Sequence, residues 1–298
     1  MILCAGEALI DMLPRETEEG TVFLPVPGGA VFNTAIALGR LGAPVGMFTG
    51  LSTDLFGQRL SEALTASGVV DRSYRSDRPT TLAFVTLSNG QAEYAFYDEG
   101  TAGRMLSPAN APDTKGVTAV FLGGISLAVE PCAQAYEAIA LGNRHLPLIM
   151  DPNIRPSFIP DETLFRARLD RLLTAADIVK LSDEDMDWIG VTPESVLSRG
   201  VKVVCLTEGD KGATAITADG RVSVPAVEAD VVDTVGAGDT FNAGVLTGLY
   251  EAGALADLNE RAPNADTLRA ALELGVAAAA VTVSRAGANP PTRDEVSV

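Results

Sequence analysis

Short, nearly unbroken apolar runs alternate with stretches of helical periodicity along this chain of 298 residues. Residues 1–10, 45–50, 119–123, 147–150, 178–181 and 201–207 read as strands buried on both faces, which need apolar side chains at successive positions. Between them, residues 33–41, 55–67, 133–141 and 164–175 carry the spacing of amphipathic helices. This order predicts an α/β fold of three layers, Rossmann-like, with helices on both faces of a mostly parallel sheet. Ligands of such sheets gather beyond the carboxyl ends of the strands. Asp11, Gly28-Gly29, Asp151-Pro152-Asn153 and Thr207-Glu208-Gly209 each follow a predicted strand, so one crevice can collect them.

One segment departs from the alternation. Residues 80–87 and 92–97 flank Ser88-Asn89-Gly90-Gln91, and Asn-Gly between two β-rich runs predicts a hairpin. Leu82, Phe84, Val85, Leu87, Tyr94, Phe96 and Tyr97 spread apolar groups over both faces. With the extended residues 21–26, the hairpin is expected to form a small sheet that covers the site or pairs with a second copy of the chain. The expected organisation is one domain over 1–298, with a β lid drawn from about 12–27 and 72–102. An antiparallel extension of the main sheet is the alternative.

Composition narrows the partners. Hydrophobic residues make up 47% of the chain, enough to bury a large core. A formal net charge of −17 argues against nucleic acid or an anionic membrane surface as partner. Cys4, Cys132 and Cys205 are far apart and form no C-x-x-C pair, so neither a disulfide framework nor a zinc site is expected. The single histidine, His145, has no G-x-S-x-G partner motif and reads as structural. Residues 1–6 lack a basic flank, and no apolar run reaches about 18 residues, so a cytoplasmic location is expected.

The chemistry concentrates in Asp233-Thr234-Val235-Gly236-Ala237-Gly238-Asp239. Gly236 and Gly238 let the backbone approach an anion, and the apolar helix that follows opens with N–H groups lacking intrahelical acceptors. Those donors and the helix dipole favour phosphate, while Asp239 in the first turn can take a proton from an attacking hydroxyl. An acid-capped helix after a glycine turn would look the same in isolation. The third glycine of a dinucleotide fingerprint would fall at Phe241, and no P-loop occurs.

These residues resemble the ribokinase-like (PfkB) carbohydrate kinases. Asp233–Asp239 is similar to that family's C-terminal signature, and Gly28-Gly29-Ala30-Val31-Phe32-Asn33 with Leu38-Gly39-Arg40-Leu41-Gly42 to its N-terminal one. Gly6-Glu7-Ala8-Leu9-Ile10-Asp11, Asp151-Pro152-Asn153-Ile154-Arg155 and Thr207-Glu208-Gly209-Asp210-Lys211-Gly212 match further blocks in order. The resemblance implies transfer of the γ-phosphate of ATP to a sugar, with Mg2+ bridging the phosphates. Asp239 would be the base, and Gly236, Ala237 and Gly238 the anion hole. The sugar would meet Asp11, Gly28, Gly29, Asn33, Phe96 and Arg155. ATP would meet Thr207, Gly209, Gly212, Ala286, Gly287 and Asn289, and a K+ ion the carbonyls around Asp233 and Val235. A homodimer through the lid is also expected.

Two departures from the family pattern matter. The usual Asn-x-x-Glu of the magnesium-water network is replaced by Ser182 and Asp185, with Glu184 adjacent. Related kinases of fructose and of 2-keto-3-deoxygluconate often carry arginine after the lid tyrosine, where this chain has Tyr97-Asp98-Glu99. Those acids disfavour a carboxylate substrate, and the opening block resembles the fructokinase branch, so fructose is the expected sugar. A 2-keto-3-deoxygluconate kinase, with Arg104 or Arg155 supplying the charge, and a noncatalytic sensor are the alternatives.

Overall fold

The computed structural model describes residues 1–88 and 91–297; the predicted Asn89-Gly90 turn lies outside the described residues. The main sheet has nine strands in the order Gly220–Val224, Ala213–Thr217, Val203–Thr207, Ile178–Ser182, Leu148–Asp151, Ala119–Gly123, Ile2–Ala5, Val45–Phe48 and Val70–Asp71. Every pairing from Val203–Thr207 to Val70–Asp71 is parallel, and the first two strands add an antiparallel edge.

The period of two along each strand divides the core. Ile2, Cys4, Phe121, Ile149, Ile178 and Val203 enter one apolar cluster, with the helices Ala30–Arg40, Ala237–Glu251 and Ala265–Val283. Leu3, Ala5, Leu122, Met150, Val179 and Val204 enter the other, with the helices Cys132–Gly142 and Glu162–Ala175. Helices therefore cover both faces, as the alternation predicts.

A second sheet of four strands stands apart, in the order Gly20–Gly28, Leu9–Thr17, Leu82–Ser88 and Gln91–Tyr97. The hairpin strands belong to it and do not extend the main sheet. Residues 1–10 consequently are not one strand. The main-sheet strand ends at Ala5, and the chain re-enters extended structure at Leu9 in the second sheet; Gly6 between them packs against Val31, where a Cβ would stand 2.4 Å from Cγ2. Asp11 lies inside that strand, not beyond the end of a main-sheet one. Residues 45–50 divide likewise, with Gly50–Ser52 pairing Tyr74–Ser76.

The helix carrying Asp239 is held by close backbone approach. A Cβ at Gly244 would fall 2.6 Å from Gly275 Cα, and one at Gly248 2.8 Å from Ala271 Cα, so glycine lets Ala237–Glu251 lie tightly along Ala265–Val283. Among the described residues, no helix is long and apolar enough to cross a membrane.

Candidate active site

The Ala237–Glu251 helix begins after Gly236, whose φ of 78° is left-handed and whose place against Ala288 leaves 2.7 Å for a side chain. Glycine is required on both counts. The Ala237 N–H donates to the Thr234 carbonyl at 3.3 Å, whereas Gly238 and Asp239 are first-turn residues with no intrahelical acceptor for their N–H groups. Asp239 is 9% exposed. Its Oδ2 accepts a hydrogen bond of 3.0 Å from Asn33 Nδ2, joining residues 206 positions apart. Burial pushes the Asp239 carboxyl up to about 7; the Asn33 bond works against this, the charges of Asp151 and Glu7 add to it, and Lys180 opposes it.

Of the remaining predicted sugar contacts, Gly28 and Gly29 precede the helix that carries Asn33, and Asp11 lies against Gly28. A Cβ at Gly28 would stand 2.1 Å from Asp11 Oδ2, so the Asp11 carboxylate rests against bare backbone, with its carboxyl raised to about 6 by burial. Gly29, at φ 111°, opens the Ala30–Arg40 helix that carries Asn33. Glu7 Oε1 accepts from the Ala30 N–H at 2.9 Å; burial raises its carboxyl despite that bond and others from Val31 and Ser126. Phe96 packs edge-on against Phe158, ring centroids 4.4 Å apart. Arg155 is not drawn into the group: it is exposed, and its Nη1 donates to the neighbouring Ile154 carbonyl. Arg104 is paired with Asp98, its Nη1 donating to both carboxylate oxygens at 2.9 Å, while its Nε donates to the Glu130 carbonyl.

Two polar residues not singled out from the sequence, Asn242 and Lys180, converge on Asp151. Asn242 Nδ2 donates to Asp151 Oδ2 at 2.7 Å, and Lys180 Nζ lies 3.5 Å from the same oxygen. Burial raises the Asp151 carboxyl, with the Lys180 charge opposing. A lysine inside an otherwise apolar strand run was the available signal, since an interior strand has no solvated face on which to place it. Asn153 beside them adopts φ 44°, a strained conformation for a residue with a side chain.

The predicted metal acids are arranged differently. Asp185 Oδ2 accepts from the N–H and the hydroxyl of Ser182, and its Oδ1 from the Ile154 N–H at 2.8 Å. It thus closes a capping box and ties two sheet loops together, while Glu184 is exposed. Among the described residues, no group of three or more His, Cys, Asp or Glu side chains is placed to hold a metal ion.

On the other side of the Gly238 turn lies a cavity of about 660 Å3. Thr207, Gly209 and Gly212 line it with Ala237 and Gly238, and Val276, Ala279, Ala280 and Val283 form an apolar wall. Ala286, Gly287 and Asn289 are not in the lining. Gly287 donates its N–H to Asp233 Oδ2 at 2.8 Å, Val235 donates its own to Asp233 Oδ1 at 3.0 Å, and Asn289 Oδ1 accepts from Arg40. These residues fasten the chain end behind the turn.

The family model described as pfkB family carbohydrate kinase matches residues 1–295. A fructokinase of Rhizobium leguminosarum bv. trifolii is 51% identical over 84% of this chain and 79% of its own length. A probable fructokinase-4 of Arabidopsis thaliana is 33% identical over 99% of this chain and 95% of its own. Among solved structures, the fructokinase with bound ATP from Xylella fastidiosa aligns with a TM-score of 0.87 at 27% identity, covering 99% of this chain and 94% of that one.

Proposed function

This chain belongs to the pfkB family of carbohydrate kinases, and we propose that within it the protein is a fructokinase that transfers the γ-phosphate of ATP to a hydroxyl of fructose. The observation that carries the reading is the 3.0 Å Asn33–Asp239 bond. It sets a buried carboxyl, raised to about 7, beside the helix start whose other side lines a nucleotide-sized cavity. A base held between two substrates is what direct transfer needs.

In this reading Asp239 accepts the proton of the attacking hydroxyl while the sugar oxygen bonds the γ-phosphorus. The bond from phosphorus to the bridging oxygen breaks, and its electron pair leaves with ADP. The Gly238 and Asp239 N–H groups and the helix dipole stabilise charge on the moving phosphoryl. Asp11, the Gly28-Gly29 backbone and Asn33 orient the sugar, with Phe96 as an apolar wall. The apolar stripe on Ala265–Val283 suits an adenine, and Thr207, Gly209 and Gly212 face the rest of ATP. Arg155 is assigned no step.

The acids fit magnesium only as a hydrated ion carried on the ATP phosphates, because the oxygens of Asp151 and Asp185 already accept bonds from Asn242, Ser182 and Ile154; there it would neutralise phosphate charge. Carbonyls around Asp233 and Val235 suit potassium, and full activity with a large organic cation in its place would refute that. We read the four-stranded sheet as the lid and, from its exposed Val22, Phe23, Leu24 and Tyr97, as a dimer contact; a monomer at micromolar concentration in sedimentation would exclude the dimer. Three buried free thiols suit a reducing cytoplasm.

Two features favour fructose over a sugar acid: the 51% identity to a fructokinase, and the pairing of Arg104 with Asp98, which offsets the positive charge a carboxylate would seek there. The deciding experiment is magnesium-dependent ADP release from ATP across fructose, ribose, glucose, adenosine, tagatose and 2-keto-3-deoxygluconate. Preference for fructose is expected. Preference for 2-keto-3-deoxygluconate would replace the substrate and keep the mechanism, whereas no turnover on any sugar would favour a sensor.

A further inference from the structure

The crevice is short of positive charge. Asp151, Asp185 and Asp239 are all buried, and Glu7 sits at the adjoining helix start, so a triphosphate enters a field that is already negative. Among the described residues the only buried basic side chains are Arg168 and Lys180. Arg168 is taken up by Glu130, Glu137 and the Leu127 carbonyl.

Lys180 is different. An ammonium has three donors, and the partner found for this one is Asp151 Oδ2 at 3.5 Å, an oxygen that already accepts a shorter bond from Asn242. A Cβ built on Gly238 would stand 3.7 Å from Lys180 Nζ. Gly238 lines the large cavity, and Asp151 and Asp239 line the small cleft beside it. The ammonium therefore lies where the two meet, with donors to spare.

We propose that Lys180 is a catalytic residue that contacts the γ-phosphoryl group of ATP, with Asp151 holding its side chain in place. The inference deepens the kinase reading and rests on it. Transfer spreads negative charge over the phosphoryl oxygens, and a cation fixed beside them in a site with little water stabilises that charge more than it would in solvent.

ADP lacks the group that Lys180 is assigned to touch, so the two nucleotides separate this role from a structural one. The wild type and Lys180→Met are titrated calorimetrically with ATP and with ADP, both with magnesium and without sugar. ATP should weaken about tenfold or more and ADP by less than about twofold, while kcat falls by about 10²–10³. Lys180→Arg should recover part of both losses. If Lys180→Met lowers the melting temperature, Lys180→Gln, which keeps a polar donor for Asp151, is read instead. Equal weakening of ATP and ADP, or no weakening of either, would overturn the assignment. A wild type that binds both nucleotides and phosphorylates no sugar would defeat the substrate reading, and the ATP-to-ADP ratio would still decide Lys180.

Discussion

Replacing Asn33 by leucine removes the one side-chain donor that Asp239 accepts from among the described residues while keeping the branched shape and the number of side-chain heavy atoms. A hydrogen bond to a charged group contributes about 1.5–3 kcal/mol, and one pKa unit corresponds to about 1.4 kcal/mol. Since the bond favours the ionised carboxylate, its loss should move the Asp239 pKa upward from about 7 by about one to two units. Only the ionised form can accept the hydroxyl proton. The wild type should therefore lose activity on the acid side, with kcat/KM falling about tenfold per pH unit once well below the pKa.

The assay is kcat/KM for fructose at saturating ATP from about pH 5 to about pH 9, in both proteins. Asn33 is also a proposed sugar contact, so the leucine variant will lose affinity as well; that lowers the whole profile without displacing its midpoint. The displacement is the readout. A wild-type profile flat down to about pH 5.5, or an acid limb in Asn33→Leu that stays put or moves to lower pH, would remove Asp239 as the base or Asn33 as its partner.

Asp239→Asn should lower kcat by about 10²–10⁴ with sugar and ATP binding largely kept, and near-normal turnover would contradict the assignment. The same variant should be the more stable protein at neutral pH. Because burial raises the carboxyl from 3.8 to about 7, the folded state binds the proton more tightly and loses relative stability as pH rises through that window, by up to about 2–4 kcal/mol. Its melting temperature should exceed that of the wild type at about pH 8 and converge on it near about pH 4; a variant less stable at both would refute the sign. Gly28→Ala drives a Cβ to 2.1 Å from Asp11 Oδ2, so it should raise the sugar KM about tenfold or more and leave the ATP KM within about twofold; an unchanged sugar KM would show that Asp11 does not contact the substrate.

The fold and the acid beside the glycine turn were legible because local chemistry encodes them. Buried parallel strands need unbroken apolar runs, and a helix start that must approach an anion needs glycine and gains from a nearby acid. The resemblance offered Asn33 as a sugar contact and Asp239 as the base, but the bond between them was not legible, since nothing local joins residues so far apart. What the chain concealed was division and direction. Residues 1–10 read as one strand, yet the chain leaves the main sheet after Ala5 and Asp11 falls in a second sheet, a division the apolar pattern does not mark. The Ala286–Asn289 stretch does not line the cavity, and the preceding helix is alanine-rich around its circumference, so its pattern does not mark Ala279, Ala280 and Val283 as the cavity wall.

Asp185 and Asp239 make the deeper point. Both are acids in the first turn of a helix that follows a main-sheet strand or a glycine turn, and both are buried. Asp185 accepts three bonds from Ser182 and Ile154, so its lone pairs serve the loops that frame the crevice. Asp239 accepts one side-chain bond, from Asn33, and keeps acceptor capacity for a substrate proton. Sequence position establishes that a carboxylate is present, but reactivity depends on which donors surround it, and those come from elements distant in the chain. By the same accounting of partners, Lys180 changes from an oddity inside an apolar strand into a cation with donors to spare, next to the glycine turn.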